Sequence, residues 1–290
     1  MPPRNAPTVR QRRLGTELRK IREAAGISTQ QAAALIGVNR TRIPNIESGS
    51  FAISPERVRT LAQHYGCGDG KLIDALADMA RDRDSRWWES YRNNLPTGFL
   101  DVTELEYHAT AFRMFLMVHL PGLLQTAEHA QAVFEASLAS LPKKEVELRA
   151  GHRMRRQEIL TLRDDPPPFT AIIHEAALHM QFGGPNVARA QLNHLLRMSE
   201  RSNISIRAIP FDTQGFAGSG QSICYAYGPV RQLDTVQLDS FHGPVFVDSE
   251  TELRRYRDLL DNAEARSLTP EQTRTLIETI AHQLRTDTHA

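Results

Sequence analysis

Leu14, Leu18, Ile21 and Ala25 recur at helical spacing and Gly26 follows where helices stop, so a first helix is predicted over about 13–25. Ser28 supplies an N-cap with Gln31 three residues on, a capping box that opens a short second helix. That helix carries Ala32, Ala33, Leu35 and Ile36 and stops at Gly37. Asn39 can cap a third, bearing Arg40, Thr41, Arg42, Ile43, Ile46 and Glu47 before Gly49. Pro44 falls inside this third pattern, where it would remove a backbone bond and clash with the Arg40 carbonyl at a cost of about 3 kcal/mol. Either the helix is kinked, or it begins near residue 43 with Pro44 in its first turn and Arg40 to Arg42 on irregular backbone. Ser54-Pro55 opens a fourth helix through Val58, Leu61, Ala62 and Tyr65, and a fifth follows at about 70–80. Two short helices joined by a glycine-containing turn, with small Ala33 at their close approach, read as a helix-turn-helix.

After Met79 the pattern changes. Arg81-Asp82-Arg83-Asp84-Ser85 alternates charge as a helix end or linker does, and Trp87, Trp88 and Tyr91 form an aromatic cluster suited to docking one domain on another. From Asp101 the chain is mixed: a helix near 102–108, a strand-like run 110–118, a helix 122–138, and a long charged helix 143–163 closed by Pro166-Pro167-Pro168. Strands are predicted at 169–174 and 204–209 around a helix at 186–201, then near 222–227, 234–240 and 244–248. Two helices follow, at about 249–264 and from Thr269-Pro270, where Gln272 completes a capping box. The fold class is therefore an all-α, five-helix N-terminal domain of helix-turn-helix type plus a larger α+β domain with a mixed sheet. Its divisions are a basic arm at 1–13, the helix-turn-helix domain at 14–80, a linker with aromatic anchors at 81–100, and an effector, partner or dimerisation domain at 101–290.

With 290 residues, 24% charged and 40% hydrophobic, the chain has the makings of about two globular domains. Cys67 and Cys224 lie too far apart for a zinc cluster or a disulfide framework, so a reducing cytoplasm is the expected setting. The start, Met1-Pro2-Pro3-Arg4, lacks the apolar stretch of a secretory signal, and Arg113 and His119 interrupt the densest apolar run, so no membrane association is expected. Charge is polarised. Residues 1–66 hold 11 lysines and arginines against 4 acidic residues, a balance of +7, whereas the remainder carries −6. One end suits a polyanion and the other does not. Arg4, Arg10, Arg12 and Arg13 form a proline-containing arm that either solubilises the chain or reaches a DNA groove.

Gly26, Ser28, Ala33, Gly37, Val38, Ile43, Ile46, Glu47 and Gly49 stand at the spacing of the xenobiotic-response-element type of helix-turn-helix, and residues 26–49 resemble that family of phage repressors and bacterial regulators. The resemblance implies a reading helix in the major groove, with Arg40, Thr41, Arg42 and Asn45 as base readers and Thr29 and Gln30 meeting phosphates. Arginine can donate two bonds to guanine and a threonine methyl can touch thymine, so the residue types fit. Arg12 and Arg13 would add sequence-independent phosphate contacts. Thr29 stands where the family usually has glutamine and Ala32 where it has leucine, which loosens the phosphate clamp and the local packing. The string PGLLQT at 121–126, the Trp87-Trp88 pair and the order of later elements resemble the large domain of WhiJ-like, antitoxin-like regulators of actinomycetes. That resemblance implies a repressor whose C-terminal domain binds a small partner protein encoded nearby, and autoregulation is an expectation beside it.

Other motifs carry less. His174-Glu175 with His179 has the spacing H-E-x-x-x-H, which sets the two histidines about 140° apart on a helix, so no metal site is predicted. Gly215, Gly218 and Gly220 imitate a dinucleotide fingerprint but precede a strand, so they read as a flexible loop able to gate a small-molecule effector. Arg149, His152, Arg153, Arg155 and Arg156 interleave with Glu145, Glu147 and Glu158, as a solvated face or a dimer seam does. No nucleophile stands with a base at motif spacing, so neither catalytic residues nor a cofactor are predicted and an enzyme is the remote reading. The leading expectation is a homodimeric regulator on double-stranded DNA with a pseudo-palindromic operator. The second is a partner-binding module for which DNA is a scaffold.

Overall fold

The computed structural model describes residues 7–81, 86–136, 140–215 and 220–286. Arg4, Asp82 to Ser85 and Gly218, singled out above, lie outside the described residues. By contact the chain divides into two units, Met1–Leu105 with Pro229–Gln232, and Glu106–Gly228 with Leu233–Ala290.

The first unit is helical. Its α1 (Val9–Ala24) starts four residues before the predicted position, because Thr8 and Gln11 form a reciprocal capping box like that of Ser28 and Gln31. The end of the supposed arm, from Val9 on, is thus helix: Arg10, Arg12 and Arg13 occupy the first turns of α1. Then come α2 (Thr29–Leu35), α3 (Arg42–Glu47), α4 (Pro55–His64) capped by Ser54, α5 (Gly70–Arg81) and α6 (Thr97–His108), which continues into the second unit. Leu18, Ile43, Val58, Leu61 and Leu76 form the core, each worth about 1.5–3 kcal/mol on burial. Trp87–Tyr91 is a single 3-10 turn in which the two indole rings meet edge to face at 5.7 Å and Trp88 is buried within this unit.

The second unit is built on a six-stranded mixed sheet of order β3-β2-β1-β4-β5-β6. Its strands are β1 (Ala111–Leu116), β2 (Phe169–His174), β3 (Ile204–Ile209), β4 (Ile223–Tyr227), β5 (Thr235–Leu238) and β6 (Val245–Val247). The first three run parallel, while β4 to β6 pair antiparallel, with β4 lying beside β1. Register puts Phe115, Ile172, Tyr225 and Val236 on one face, where Leu253, Leu260 and Ala263 of α12 (Glu250–Ala265) cover them. Phe112, Phe169, Ala171 and Ala226 are buried on the other, so the sheet is covered on both sides. The β3 edge is closed by the start of α13 (Pro270–Thr286): Ala208 donates its N–H to Thr273 Oγ1 at 2.9 Å and accepts from Leu268 N at 2.8 Å.

The helix predicted over 122–138, whose last two residues lie outside the described ones, is two pieces, a 3-10 turn (Gly122–Leu124) and α7 (Ala127–Glu135). Gln125 is extended at the break, and Thr126 caps α7 by accepting from His129 N. Three glutamines hold the interruption open. Gln191 accepts Thr126 N at 2.7 Å and donates to Leu124 O at 2.8 Å, Gln157 donates to Gln125 O at 2.7 Å, and Gln125 donates to Leu120 O at 2.8 Å. The long charged helix likewise splits into α8 (Lys143–Arg156) and α9 (Glu158–Thr161). Helix α10 (Glu175–His179), absent from the sequence reading, is capped by His174, and α11 (Pro185–Met198) follows.

His129 and His152 are both buried, and burial first and nearby arginines second push them down to about 4 and about 3. The native state keeps them neutral while the unfolded chain takes protons near pH 6.5, so this stability is complete above pH 6.5 and is lost as pH falls through the folded values. We expect the urea midpoint followed by far-UV circular dichroism to drop between pH 7 and pH 5, each histidine contributing roughly 1.4 kcal/mol per pH unit below 6.5. A His129→Leu/His152→Leu variant that keeps the full wild-type slope would contradict this assignment.

Candidate nucleic-acid interface

Helix α2 ends with Val38 donating to Ala33 O at 3.0 Å, and the chain then turns through Asn39, whose Oδ1 accepts both the N–H and the hydroxyl of Thr41 at 3.0 Å. Arg42 donates to Asn39 O at 2.8 Å and begins α3. Pro44 therefore sits in the first turn, where a backbone N–H would have no intrahelical partner, and costs the helix no bond. The later start is the right alternative, and Arg40 and Thr41 lie in the turn. Ile43 and Ile46 anchor the inner side of α3.

Two contacts with α1 fix α3 from behind. A Cβ added at Gly15 would stand 2.4 Å from Glu47 O and 2.5 Å from Ile46 O, so the backbones touch where only glycine fits. Arg22 and Glu47, each 9% exposed, form a two-pronged ion pair at 2.6 and 2.9 Å, and Arg22 also donates to Ile27 O at 2.8 Å. Gly49, at φ +78°, ends α3 against the first turn of α1.

The outer side is left to polar groups. Arg40 is exposed and its guanidinium has no protein partner among the described residues. Arg42 lies over the Phe51 ring at 5.3 Å, which limits its swing, and Phe51 is set there by its N–H on Asn45 O. Asn45 donates to Thr41 O at 2.9 Å. The acidic residues nearby are spent elsewhere: Glu17 on Arg13 and Lys20, Glu23 on Arg19, Glu47 on Arg22, Asp74 on Arg59. Arg40, Arg42 and Arg57 have no carboxylate partner among the described residues, as phosphate and base contacts require.

Residues 13–76 match the helix-turn-helix domain family, and residues 99–279 match the family described as a domain of unknown function, DUF5753. The chain belongs to the DUF5753 family. Its N-terminal helix-turn-helix is the DNA-binding module of a regulator, carried ahead of the DUF5753 domain. No curated protein and no solved structure matches the chain.

In this DUF5753 protein Thr29 and Gln30 hold the first two positions of α2, half-buried and exposed respectively. Arg12 is exposed on α1, bonded to Pro7 O and 4.0 Å from Asp101. Arg13 corrects the arm reading. It is 7% exposed, paired with Glu17 at 3.0 Å and bonded to Gln232 O, so its guanidinium is not available to a phosphate. Arg57 was missed, although it is an exposed cation in the first turn of α4. Phe51 was missed because nothing in its spacing shows that it faces Arg42.

In the DUF5753 domain His179 contacts Glu175 at 3.4 Å while His174 caps α10, and no group able to hold a metal occurs among the described residues. No helix among the described residues is long and apolar enough to cross a membrane. The solvated-face reading of α8 fails at its end. Arg156 turns inward to grip Glu106 in a two-pronged pair at 2.5 and 2.7 Å, with side-chain exposures of 11% and 4%.

Proposed function

We propose that the protein is a sequence-specific transcriptional regulator, acting in the cytoplasm as a homodimer on a pseudo-palindromic operator. Arg40, Thr41, Arg42 and Asn45 read bases, while Thr29, Gln30, Arg12 and Arg57 position the backbone. The observation that carries the reading is the rigidly backed α3, with unpaired Arg40 at its entrance and Arg42 held over Phe51. Arginines on a fixed turn and helix start are preorganised for guanine. The DUF5753 domain receives a small effector or a partner protein, in keeping with the WhiJ-like, antitoxin-like resemblance, and repression of its own gene is the working mode. No catalytic step belongs to this reading.

Selection of duplexes from a randomised pool tests it. The expected product is two inverted half-sites about 34 Å apart, the spacing of one helical turn. Arg40→Ala is expected to cost about 1–3 kcal/mol and relax preference at one base pair. Arg57→Ala is expected to weaken all sequences and lower the salt slope by about 1. Recovery of a random pool, or unchanged preference in Arg40→Ala, would sink the residue assignment.

A further inference from the structure

Register places Phe115 of β1, Ile223 of β4 and Leu238 of β5 side by side, so the carboxyl ends of β1 and β5 lie at one border of the sheet. Here the strand order reverses: β1 leads away to β2 on one side and has β4 on the other. In open sheets with parallel strands ligands sit outside the carboxyl ends of the strands, and this border gathers the ends of β1 and β5 with the start of the antiparallel β4. The loop after β1 carries His119 and Gln125, and the residue after β5 is Asp239, whose field reaches His119.

One turn before the paired Arg156, Arg153 is held on two sides. It donates to Gln125 Oε1 at 2.6 Å, and its guanidinium lies 4.2 Å from the centre of the Phe134 ring. A Cβ on Gly122 would lie 3.7 Å from Arg153 Nε and 4.0 Å from Arg156 Nη2, so the two guanidinium groups flank the same glycine. Arg156 has Glu106, but Arg153 has no carboxylate within ion-pair distance among the described residues. Burial and the neighbouring Arg156 push Arg153 down to about 9, which still leaves it charged at neutral pH. Its field reaches His119 and His129, whose rings stand 5.2 and 5.7 Å from that of Phe182. His129 is 1% exposed and neither ring nitrogen has a partner among the described residues. A neutral imidazole always carries one N–H, and leaving it unbonded inside a protein is costly.

We propose that this cluster of side chains binds a small oxyanion, a carboxylate or a phosphate, gripped by Arg153 and hydrogen-bonded by His129 and His119 beside the Phe182 ring. The inference deepens the effector reading of the DUF5753 domain and rests on it. An oxyanion supplies the charge that Arg153 lacks and an acceptor for the imidazole N–H. Asp239 is exposed, takes a bond from Gln237 at 2.8 Å, and acts on His119 and Arg153 from beyond ion-pair distance, so it opposes the incoming anion.

The test is calorimetric titration of the full chain, without DNA, using inorganic phosphate and benzoate as probes and chloride at matched ionic strength as control. Saturable binding of at least one probe is expected with Kd under about 1 mM. The better probe tells phosphate from carboxylate as the source. Arg153→Met, which keeps the stem over Phe134, is expected to weaken binding at least tenfold. Asp239→Asn changes only a surface residue and is expected to tighten binding several-fold. Chloride-like binding of both probes, or an unchanged affinity in Asp239→Asn, would overturn the proposal. Because DNA is absent, failure here leaves operator binding untouched, and failure of operator binding leaves this site untouched.

Discussion

Gly15→Ala is expected to destabilise the helix-turn-helix unit by about 3 kcal/mol, the upper range for forcing atoms into a packed contact. Helix propensity alone predicts the opposite, since alanine inside a helix is worth about 1 kcal/mol over glycine. Packing wins because the new methyl would meet the main-chain carbonyls of Ile46 and Glu47, which cannot rotate away as a side chain can. Gly151 on α8 provides the control: an added Cβ there meets nothing within 4 Å, so Gly151→Ala is expected to stabilise its own unit. Both tryptophans of the chain, Trp87 and Trp88, lie in the first unit, so their fluorescence in a urea titration reports the Gly15 change. A wild-type or higher midpoint for Gly15→Ala would contradict the α1 to α3 contact.

The second large effect is expected at Glu47. Glu47→Gln takes from the buried Arg22 guanidinium its two-pronged partner and leaves it only the exposed Glu23 at 3.5 Å, so the cost is expected near the lower end of the roughly 3–5 kcal/mol for breaking one side of a buried pair. The loss concerns the unpaired charge more than the bond itself, so the double variant Arg22→Met/Glu47→Leu is expected to recover most of it. The same tryptophan signal checks both. Additive losses in the double variant would show that the two residues do not act as a pair. Because Glu47 also ends α3, the single variant is expected to weaken DNA binding although Glu47 points away from the reading side.

Local signals were legible in the sequence and distant partners were not. Strands 169–174 and 204–209 were read to the residue, because short apolar runs bounded by breakers leave little choice. The capping boxes at Ser28 and Thr269 held for the same reason. The box at Thr8 and Gln11 was equally present, but the surrounding arginines gave the segment the look of an arm. The break inside 122–138 depends on Gln157 and Gln191, far along the chain, and no periodicity reports them. Burial of Arg13 and half-burial of Arg153 and Arg156 run against the habit of arginine and follow from what the fold brings near them. At the interface, Arg40, Thr41, Arg42 and Asn45 stand on the outer side of a short helix and its turn, but the start of α3 could only be fixed once Asn39 and Thr41 were seen to close the turn.

Sequence-specific DNA recognition is the central claim, and fluorescence anisotropy on the full chain tests it most directly. One duplex carries the DNA upstream of the chain's own coding sequence and the other its scrambled form, each measured at about 50 and about 200 mM salt. The account predicts that binding to the upstream duplex survives at the higher salt while the scrambled duplex is released. Equal loss of both would mean that the cations supply attachment alone, and would contradict base reading by Arg40 and Arg42.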